Sequence, residues 1–481
     1  MVGAGMAGLG AAATLHRAGK EVIVLERLDV VGGLARTVSF GEHVFDVGPH
    51  YFFLDVSDQV NELIKSSMKP EEWRPIDFKI GAKIGKRNVP WPPSASAAFK
   101  LPPSSIYTFL RNSFTQNIPT AYSAKEYMRG MFGGKLWDVF LGPYMEKKVP
   151  SRTGLKGELH RDWWNQTART VHNVPDVKRD KTLQLEPKLV ERYLERYPQV
   201  KAQQPAEGGD SKEERSHPKG IKRAWLIVQG LFRTAFAKNY KKVLYPPRGV
   251  GMITERVAEA YEREGGTLHL KASNVAFETE GHHITKVTWD GGEVVEPECV
   301  IWTGSIHRMC TLAGIPREEL PFFTIMLGLM KINRPLAEGD DLYTYIADED
   351  IVFNRIYYPN RSVGGLCPAG KDSLCVEITR TEFRDEKERA GLLDKIAEGL
   401  EKLGVCKRED IEDIEYMFVP DSYPVYPMDY REKLDRIWAE HDKFDNLRSI
   451  GRSGQFWYNN MARSMRVGVE TANDLLGRYE P

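Results

Sequence analysis

The chain has 481 residues, of which 41% are hydrophobic, so it is long enough for a large core and for two or three domains. The 67 lysines and arginines balance the 67 aspartates and glutamates, which gives a formal net charge of zero. A chain without net charge has no overall positive field for a nucleic-acid backbone, so composition argues against nucleic acid as a partner. We interpret Lys147, Lys148, Lys241 and Lys242 as solvated faces rather than binding patches.

The five cysteines are odd in number and include no C-x-x-C pair. This pattern predicts reduced thiols, no structural zinc or other metal site, and a cytoplasmic protein. The longest apolar run, Phe322 to Met330, has about half of the length that a membrane-spanning helix needs. The apolar N-terminal stretch carries a glycine motif and does not read as a secretory signal. We therefore expect no transmembrane segment.

The N-terminal segment contains the spacing G-x-G-x-x-G at Gly3, Gly5 and Gly8, followed by a small-residue helix and a strand that ends at Glu26. The first glycine permits a tight turn, the second lets a pyrophosphate approach the backbone, and the third lets helix and strand pack closely. The helix starting near Met6 directs its free N–H groups at that pyrophosphate. Glu26 stands where a carboxylate accepts hydrogen bonds from a ribose. The pattern predicts dinucleotide binding, and a glycine-rich turn without a ligand is the alternative.

The first strand of this unit is short in the sequence. Only Met1 and Val2 precede Gly3, whereas such a strand normally has about five residues. Either native residues precede Met1 or the central strand is unusually short, and we expect the former.

A second glycine motif, Gly32-Gly33-Leu34-Ala35-Arg36, follows Glu26, and Asp46-Val47-Gly48-Pro49-His50-Tyr51-Phe52 comes shortly after it. Together with the fingerprint, these segments resemble the FAD-binding family that includes amine oxidases, protoporphyrinogen oxidases and UDP-galactopyranose mutases. The resemblance implies FAD as the cofactor. The fingerprint and the resemblance assign these residues to the cofactor site: Gly3, Gly5, Met6, Ala7, Gly8, Glu26, Gly32, Gly33, Leu34, Arg36, Gly48, Val275, Thr303, Gly451, Arg452, Met461 and Ser464.

The pattern between residues 123 and 169 is helical. Ser123 and Glu126 form a candidate capping box, and the spacing of Leu136, Phe140 and Tyr144 predicts one buried helical face. As a block, the region resembles helices of the mutase branch through a set of matching residues. These are Phe132, Gly133, Pro143, Tyr144, Lys147, Asp162 and Trp163.

The expected fold class is α/β, with a Rossmann-like FAD-binding domain, a helical insertion and an antiparallel β-rich substrate domain. We expect the chain to return twice to the FAD-binding domain, the second time through a final helix from Ser464 to Leu476. The expected boundaries are 1–75 for the first part of the FAD-binding domain, 76–242 for the helical insertion, 243–310 for the second FAD-binding part, 311–444 for the substrate domain and 445–481 for the C-terminal FAD-binding part.

Three residues are candidates for the catalytic site by the resemblance. His50 matches a histidine beside the flavin in the mutases, with a structural histidine as the alternative. Arg355 matches an arginine over the flavin, with a surface salt bridge as the alternative. Tyr423 matches a tyrosine that binds substrate phosphate, and packing is an equal alternative. Arg452 matches a cofactor-proximal arginine.

Two departures argue against a mutase. Aligned on Asp162 and Trp163, the mutases' pyrophosphate-binding arginine falls at Thr167, which carries no positive charge for a bidentate phosphate contact. In the C-terminal motif, Ala462 and Arg463 replace an aspartate and a histidine of the relatives.

Three hypotheses follow. The first, which we favour, is an FAD-dependent oxidoreductase that moves a hydride from a small organic substrate to the flavin. The second is a mutase-like isomerase of a sugar nucleotide, with reduced flavin as the nucleophile. The third is a non-catalytic binding protein like the Rab GDP-dissociation inhibitors. NADPH and oxygen both remain open as the redox partner, and so does the oligomeric state.

Overall fold

The computed structural model describes residues 1–52, 57–84, 87–91, 104, 123–132, 134–148, 159, 242–379, 383 and 385–477. Several residues singled out in the sequence lie outside this part of the chain, namely Gly133, Asp162, Trp163, Thr167, Arg169 and Lys241.

The described helices are α1 (Met6–Arg17), α2 (Asp58–Ser67), α3 (Ala124–Phe132), α4 (Gly134–Leu136), α5 (Gly142–Lys148), α6 (Gly251–Arg263), α7 (Ile306–Ala313), α8 (Pro359–Ser362), α9 (Glu386–Lys402), α10 (Tyr430–His441), α11 (Gly451–Gly454) and α12 (Met461–Leu475). A π-helical segment, Trp137–Leu141, joins α4 to α5, and short 3-10 helices cover Gly33–Ala35, Pro70–Glu72 and Arg408–Asp410.

The described strands are β1 (Ile23–Leu25), β2 (Thr37–Phe40), β3 (His43–Asp46), β4 (Arg74–Asp77), β5 (Ile80–Ile84), β6 (Arg87–Pro90), β7 (Lys242–Tyr245), β8 (Thr267–His269), β9 (Ala276–Glu280), β10 (His283–Trp289), β11 (Glu293–Val295), β12 (Val300–Trp302), β13 (Phe322–Ile332), β14 (Tyr343–Ile346), β15 (Arg355–Tyr357), β16 (Asp372–Thr379), β17 (Ile411–Pro424) and β18 (Leu447–Ser449).

Short parallel strands form the cofactor-binding layer. β1 pairs with β8 and β12 pairs with β18, both in parallel. Val2 joins the two pairs, because it bridges Leu25 on one side and Trp302 on the other. A backbone bond from Gly3 N to the Leu25 carbonyl, at 2.7 Å, continues this pairing into the glycine loop. The Rossmann-like arrangement predicted from the glycine spacing is confirmed.

The last helix packs directly on the first. A Cβ atom on Gly468 of α12 would lie 2.0 Å from the Ala7 carbonyl oxygen of α1. A Cβ on Gly10 would lie 2.7 Å from the Met465 carbonyl oxygen. Only glycine permits helices this close at both positions, so these two residues bring the C-terminal segment against the N-terminal loop. The helix starts at Met461, three residues before the predicted start, because the Asn460 side chain accepts the Arg463 N–H and caps it.

A seven-stranded sheet forms the second layer, in the order β17-β13-β16-β15-β14-β5-β6. All its pairs are antiparallel except β5 with β14, so the predicted antiparallel β-rich unit is confirmed with one parallel pair. β5 and β6 come from the segment between α2 and α3, so two separate parts of the chain build this sheet. Helix α9 covers one face, where buried Leu392, Ile396 and Leu400 pack on the strands.

Helix α4, the π-helical segment and α5 bury the helical face that was predicted from the sequence. Leu136, Phe140 and Tyr144 are all buried, and Ser123 Oγ accepts the Glu126 N–H at 3.2 Å. In the described part of the chain, no helix is both long and apolar enough to cross a membrane.

Candidate active site

The glycine fingerprint forms a tight loop with one open face. Gly3 has a φ of 104°, and a Cβ on it would lie 2.1 Å from Thr303 Oγ1, so both backbone and space require glycine there. A Cβ on Gly8 would lie 1.9 Å from the Gly3 carbonyl oxygen. A Cβ on Gly5, by contrast, would meet nothing closer than the Gly32 carbonyl oxygen at 3.9 Å. The open space is therefore at Gly5, where the spacing predicts the approach of a pyrophosphate.

The second glycine motif lies against this loop. Gly32 N donates to the Ala4 carbonyl at 2.9 Å, and Gly32 pairs with Gly5 as an isolated parallel bridge. With a φ of 109°, Gly32 adopts a left-handed conformation that places the next residue in front of the loop. Arg36 then folds back and donates to the Gly33 carbonyl at 2.6 Å. The two glycine motifs thus make one continuous backbone surface.

Glu26 lies directly beside the loop, at the end of β1. It is buried, and its two carboxylate oxygens accept the Ala4 N–H at 2.8 Å and the Leu28 N–H at 2.9 Å. Each carboxylate oxygen has a further lone pair for a ribose hydroxyl. The loop, the open face at Gly5 and this carboxylate together fit the diphosphate and ribose of a dinucleotide.

The other predicted cofactor residues surround the loop at different distances. Thr303 donates to the Val2 carbonyl at 3.0 Å, and a Cβ on Gly451 would lie 3.2 Å from the Ala7 Cβ, so both border the fingerprint. Ser464 donates to the Asn459 side chain at 2.6 Å inside the first turn of α12. Val275 lies between β8 and β9, where its carbonyl accepts a bond from Arg308 at 3.4 Å.

A cavity opens between the two layers, with about 770 Å³ of empty space that is partly open to solvent. It brings together seven residues that the sequence predicted for cofactor or catalysis: Leu34, Gly48, His50, Arg355, Tyr423, Arg452 and Met461. Aromatic side chains supply much of the remaining wall, namely Tyr51, Phe78, Tyr343, Tyr345 and Tyr458. A concave site with few convergent polar groups and an aromatic wall is typical of a small-molecule pocket.

Arg355 belongs to a row of side chains that crosses the sheet. In the strand register, Tyr345 faces Arg355 and Arg355 faces Glu377. Arg355 and Glu377 form an ion pair with side chains only 9% and 2% exposed, and Arg355 Nη2 also donates to Tyr423 Oη at 3.2 Å. The surface salt bridge considered for Arg355 is wrong, because both side chains of the pair are buried.

His50 is a neutral hydrogen-bonding group. Its Nδ1 lies 3.0 Å from the Gly48 carbonyl oxygen, which fixes the ring proton on that nitrogen. Burial and, to a smaller extent, the positive charge of Arg452 lower the pKa of His50 to about 4. At neutral pH the imidazole is uncharged, with Nε2 as an acceptor.

Arg452 links the two layers through backbone oxygens. Its guanidinium donates to the Asn459 carbonyl from Nε at 3.1 Å and to the Ser422 carbonyl from Nη1 at 3.1 Å. It also lies over the ring of Tyr458, 4.9 Å from the centroid. Arg452 therefore holds the end of β17 against the loop before α12, and its positive charge remains in the cavity wall.

The interpretation of Lys147 and Lys148 as a solvated face is wrong. Lys147 donates to the carbonyl oxygens of Ile346, Asp348 and Phe353 at 3.2, 2.8 and 2.6 Å. Lys148 is 3% exposed and lies over the Tyr423 ring, 4.4 Å from its centroid. Burial lowers the pKa of both ammonium groups, that of Lys147 to about 7.

Two of the side chains missed in the sequence had a readable signal. Lys148 follows Phe140 and Tyr144 at helical spacing, which puts it on the buried face. Glu377 is the one carboxylate among the apolar residues 374–378 of a strand, and a charge in such a run needs a buried partner. Tyr343 and Tyr345 alternate on β14 and share one face, but nothing in the sequence distinguishes a cavity wall from core.

Comparison with known proteins agrees with this architecture. A family model described as an NAD(P)-binding Rossmann-like domain matches residues 1–66. A phytoene desaturase (neurosporene-forming) of Rhodobacter capsulatus is 41% identical over 93 residues. That match covers 17% of this chain and 17% of the desaturase, so it spans about a sixth of the relative's length.

Similar solved structures extend over the whole chain. A reduced UDP-galactopyranose mutase has a TM-score of 0.73 at 17% identity, covering 100% of this chain and 95% of the mutase. An Exiguobacterium protein assigned as a protoporphyrinogen oxidase has a TM-score of 0.67 at 14% identity, covering 99% and 98%. A putrescine oxidase has a TM-score of 0.51 at 14% identity, with coverage of 99% and 98%.

The match of residues 1–66 agrees with the Rossmann-like arrangement of the cofactor-binding layer. The chain as a whole has the fold of these solved structures, which confirms at the level of the fold the resemblance seen in the sequence.

Proposed function

We propose that this protein is an FAD-dependent oxidoreductase that takes a hydride from a small organic substrate in the cavity. One observation carries the proposal. Leu34, Gly48 and Met461 come from three segments that the resemblance assigns to the cofactor, and they border the same cavity as Arg355 and Tyr423 of the sheet. A substrate there would lie between the cofactor loops and a wall of fixed polar groups.

FAD, when bound, supplies the hydride acceptor, whereas the protein supplies binding, orientation and charge. The fingerprint loop and Glu26 would hold its diphosphate and ribose. The first turn of α12, which begins at Met461 beside the cavity, would stabilise negative charge that develops nearby.

The sheet wall would orient the substrate. Arg355 is held by Glu377 on one side and by Tyr423 on the other, so its guanidinium has one fixed direction. The Arg355 Nε atom is buried and has no hydrogen-bond partner among the described residues. His50 would accept a hydrogen bond without carrying charge at neutral pH.

A sugar-nucleotide isomerase is the rival activity. In the sequence, Thr167 stands at the position of an arginine that binds the pyrophosphate in the mutases. A neutral hydroxyl makes a weaker contact with phosphate than a guanidinium does. We therefore propose an oxidation with net electron flow. We also propose a cytoplasmic location, which the five free cysteines of the described chain support.

The test is an anaerobic titration of the flavin absorbance with candidate substrates, beginning with primary amines such as putrescine and with UDP-galactose as the comparison. We expect an oxidisable substrate to bleach one flavin per molecule, and UDP-galactose to leave the spectrum unchanged. Chemically reduced protein should also fail to convert UDP-galactopyranose into its furanose form. Furanose formed over many turnovers, without consumption of an acceptor, would overturn the proposal and make Arg169 the candidate phosphate ligand.

A further inference from the structure

A chain of buried hydroxyl groups leads away from the cavity. Tyr51 lines the cavity, and its hydroxyl lies 3.4 Å from Ser362 Oγ. Ser362 lies beside the Tyr357 hydroxyl, where it acts to lower the pKa of that phenol. The Tyr357 hydroxyl lies 3.2 Å from the hydroxyl of Tyr245. All four side chains are buried.

The chain ends at Asp46 in the hairpin of the cofactor-binding layer. Tyr245 donates a hydrogen bond to Asp46 Oδ2, and the Tyr357 hydroxyl lies 3.5 Å from the same oxygen. The other oxygen, Oδ1, accepts Thr37 Oγ1 at 2.7 Å and the Val250 N–H at 2.9 Å. Asp46 is only 1% exposed, so the route through the hydroxyls connects an otherwise enclosed carboxylate with the cavity.

We propose that this chain carries the proton released by the substrate from Tyr51 to Asp46, which makes Asp46 the terminal proton acceptor. The inference rests on the proposed function, because the oxidation of an H–C–X–H group to C=X releases one hydride and one proton. The C–H electron pair leaves with the hydride, and the X–H electron pair becomes the new π bond. The proton passes to Tyr51, and each hydroxyl gives its own proton to the next oxygen, so that only Asp46 gains one.

The chemistry of the groups suits transfer along the chain. Burial raises the pKa of Tyr51, Tyr245 and Tyr357, so none of them would persist as a phenolate and each must gain a proton as it loses one. Burial also raises the pKa of Asp46, to about 6, which makes it a stronger base than an ordinary carboxylate. His50, with a pKa of about 4, is the weaker base of the two.

The test measures hydrogen–deuterium exchange of the protonated Asp46 carboxyl at about pH 5, below its raised pKa. The carboxyl C=O stretch shifts in infrared spectra when the proton is replaced, and Asp46→Asn identifies the band by removing it. Tyr357→Phe interrupts the chain while keeping the ring, and Ser362→Ala interrupts it one link earlier. Tyr358→Phe is the matched control, because this buried neighbour bonds Thr344 instead.

We expect Tyr357→Phe and Ser362→Ala each to slow the exchange by about tenfold or more, since a buried carboxyl that loses its bonded path exchanges only through local opening. Tyr358→Phe should leave the rate unchanged. Exchange at the wild-type rate in both interrupted variants would overturn the proposal, as would the absence of a protonated Asp46 band. The measurement needs no turnover, so slowed exchange supports the relay even if no substrate ever bleaches the flavin.

Discussion

Arg355 and Glu377 face each other across β15 and β16 and form a buried ion pair, of which Arg355 lines the cavity. Paired charges of this kind are maintained because removing one partner leaves the other unsolvated. Glu377 Oε1 has no hydrogen-bond partner among the described residues, and neither has Arg355 Nε. The pair therefore keeps one acceptor and one donor without a partner in the buried interior of the described chain.

The first prediction separates the structural from the functional role of this pair. Arg355→Met alone should destabilise the protein by about 3–5 kcal/mol, because Glu377 is left charged and buried. Arg355→Met with Glu377→Leu should restore most of that stability. Both proteins should retain the flavin and lose most activity, since a charge contact in a desolvated site contributes about 2–5 kcal/mol.

Urea unfolding, flavin content and turnover per flavin measure the three effects. A double variant with wild-type turnover would show that Arg355 has only a structural role. Loss of the flavin with unchanged turnover per bound flavin would instead assign Arg355 to cofactor binding.

The second prediction concerns the open face of the glycine loop. Gly5 has an extended backbone, and a Cβ on it would meet no atom closer than the Gly32 carbonyl oxygen at 3.9 Å. Gly5→Val should therefore fold, and the valine side chain should occupy the position of the pyrophosphate. We expect the variant to be purified without flavin and with near-native circular dichroism. Gly391→Val in α9 is the control, because a Cβ there meets nothing within 4 Å and Gly391 does not line the cavity. A yellow Gly5→Val protein would show that the cofactor does not approach this residue.

The third prediction uses the raised pKa of Asp46. Its carboxyl has a pKa of about 6 in the folded protein against 3.8 as the ordinary value, so the folded state binds the proton more tightly. The resulting stabilisation is fully present below pH 3.8 and is lost as the pH rises through 6. Two pKa units correspond to about 3 kcal/mol.

Urea unfolding of the wild type and of Asp46→Asn between pH 4 and 7.5 measures this difference. The stability of the wild type relative to the variant should fall as the pH rises through this window. Asp394→Asn is the control, because the Asp394 side chain is 78% exposed. The difference in stability between the wild type and this variant should change little over the same pH range. A constant difference between the wild type and Asp46→Asn would mean that Asp46 titrates normally.

The fourth prediction concerns the Tyr423 hydroxyl. Tyr423→Phe removes the acceptor of the Arg355 Nη2 bond but keeps the ring under Lys148. We expect a stable protein with the flavin bound and a raised KM, because the guanidinium loses one of its two anchors. Steady-state kinetics with the substrate found by flavin bleaching measures KM and kcat for the variant and the wild type. Unchanged KM and kcat would show that packing is the only role of Tyr423.

The sequence predicted the cofactor-binding layer well because glycine constraints are local. Gly3 and Gly32 are required by their own positive φ, and Gly8 by the Gly3 carbonyl oxygen five residues away, so their spacing alone indicates the loop. The pairing of Val2 with two neighbouring strands depends on residues far along the chain, and the sequence could not supply it. The predicted start of the final helix was three residues too late, because its cap, Asn460, was not recognised.

The second layer was predicted less completely. Strand β17 was not predicted, because the adjacent acidic residues Glu412 and Asp413 interrupt the alternation of polar and apolar side chains at its start. Arg355 was found through the resemblance, but its ion pair depends on strand register, which a single sequence does not fix. Lys148 was predicted to be solvent-exposed because it is charged, although its helical spacing from Phe140 and Tyr144 places it on the buried face.

The most direct test of the central claim is the absorption spectrum of the purified protein, before and after incubation with FAD. The account predicts a yellow protein with one bound flavin per chain, which trichloroacetic acid or heat releases as intact FAD. A correctly folded protein that is colourless and cannot be reconstituted with FAD would contradict it, because the cavity would then lack the hydride acceptor on which the proposed reaction depends.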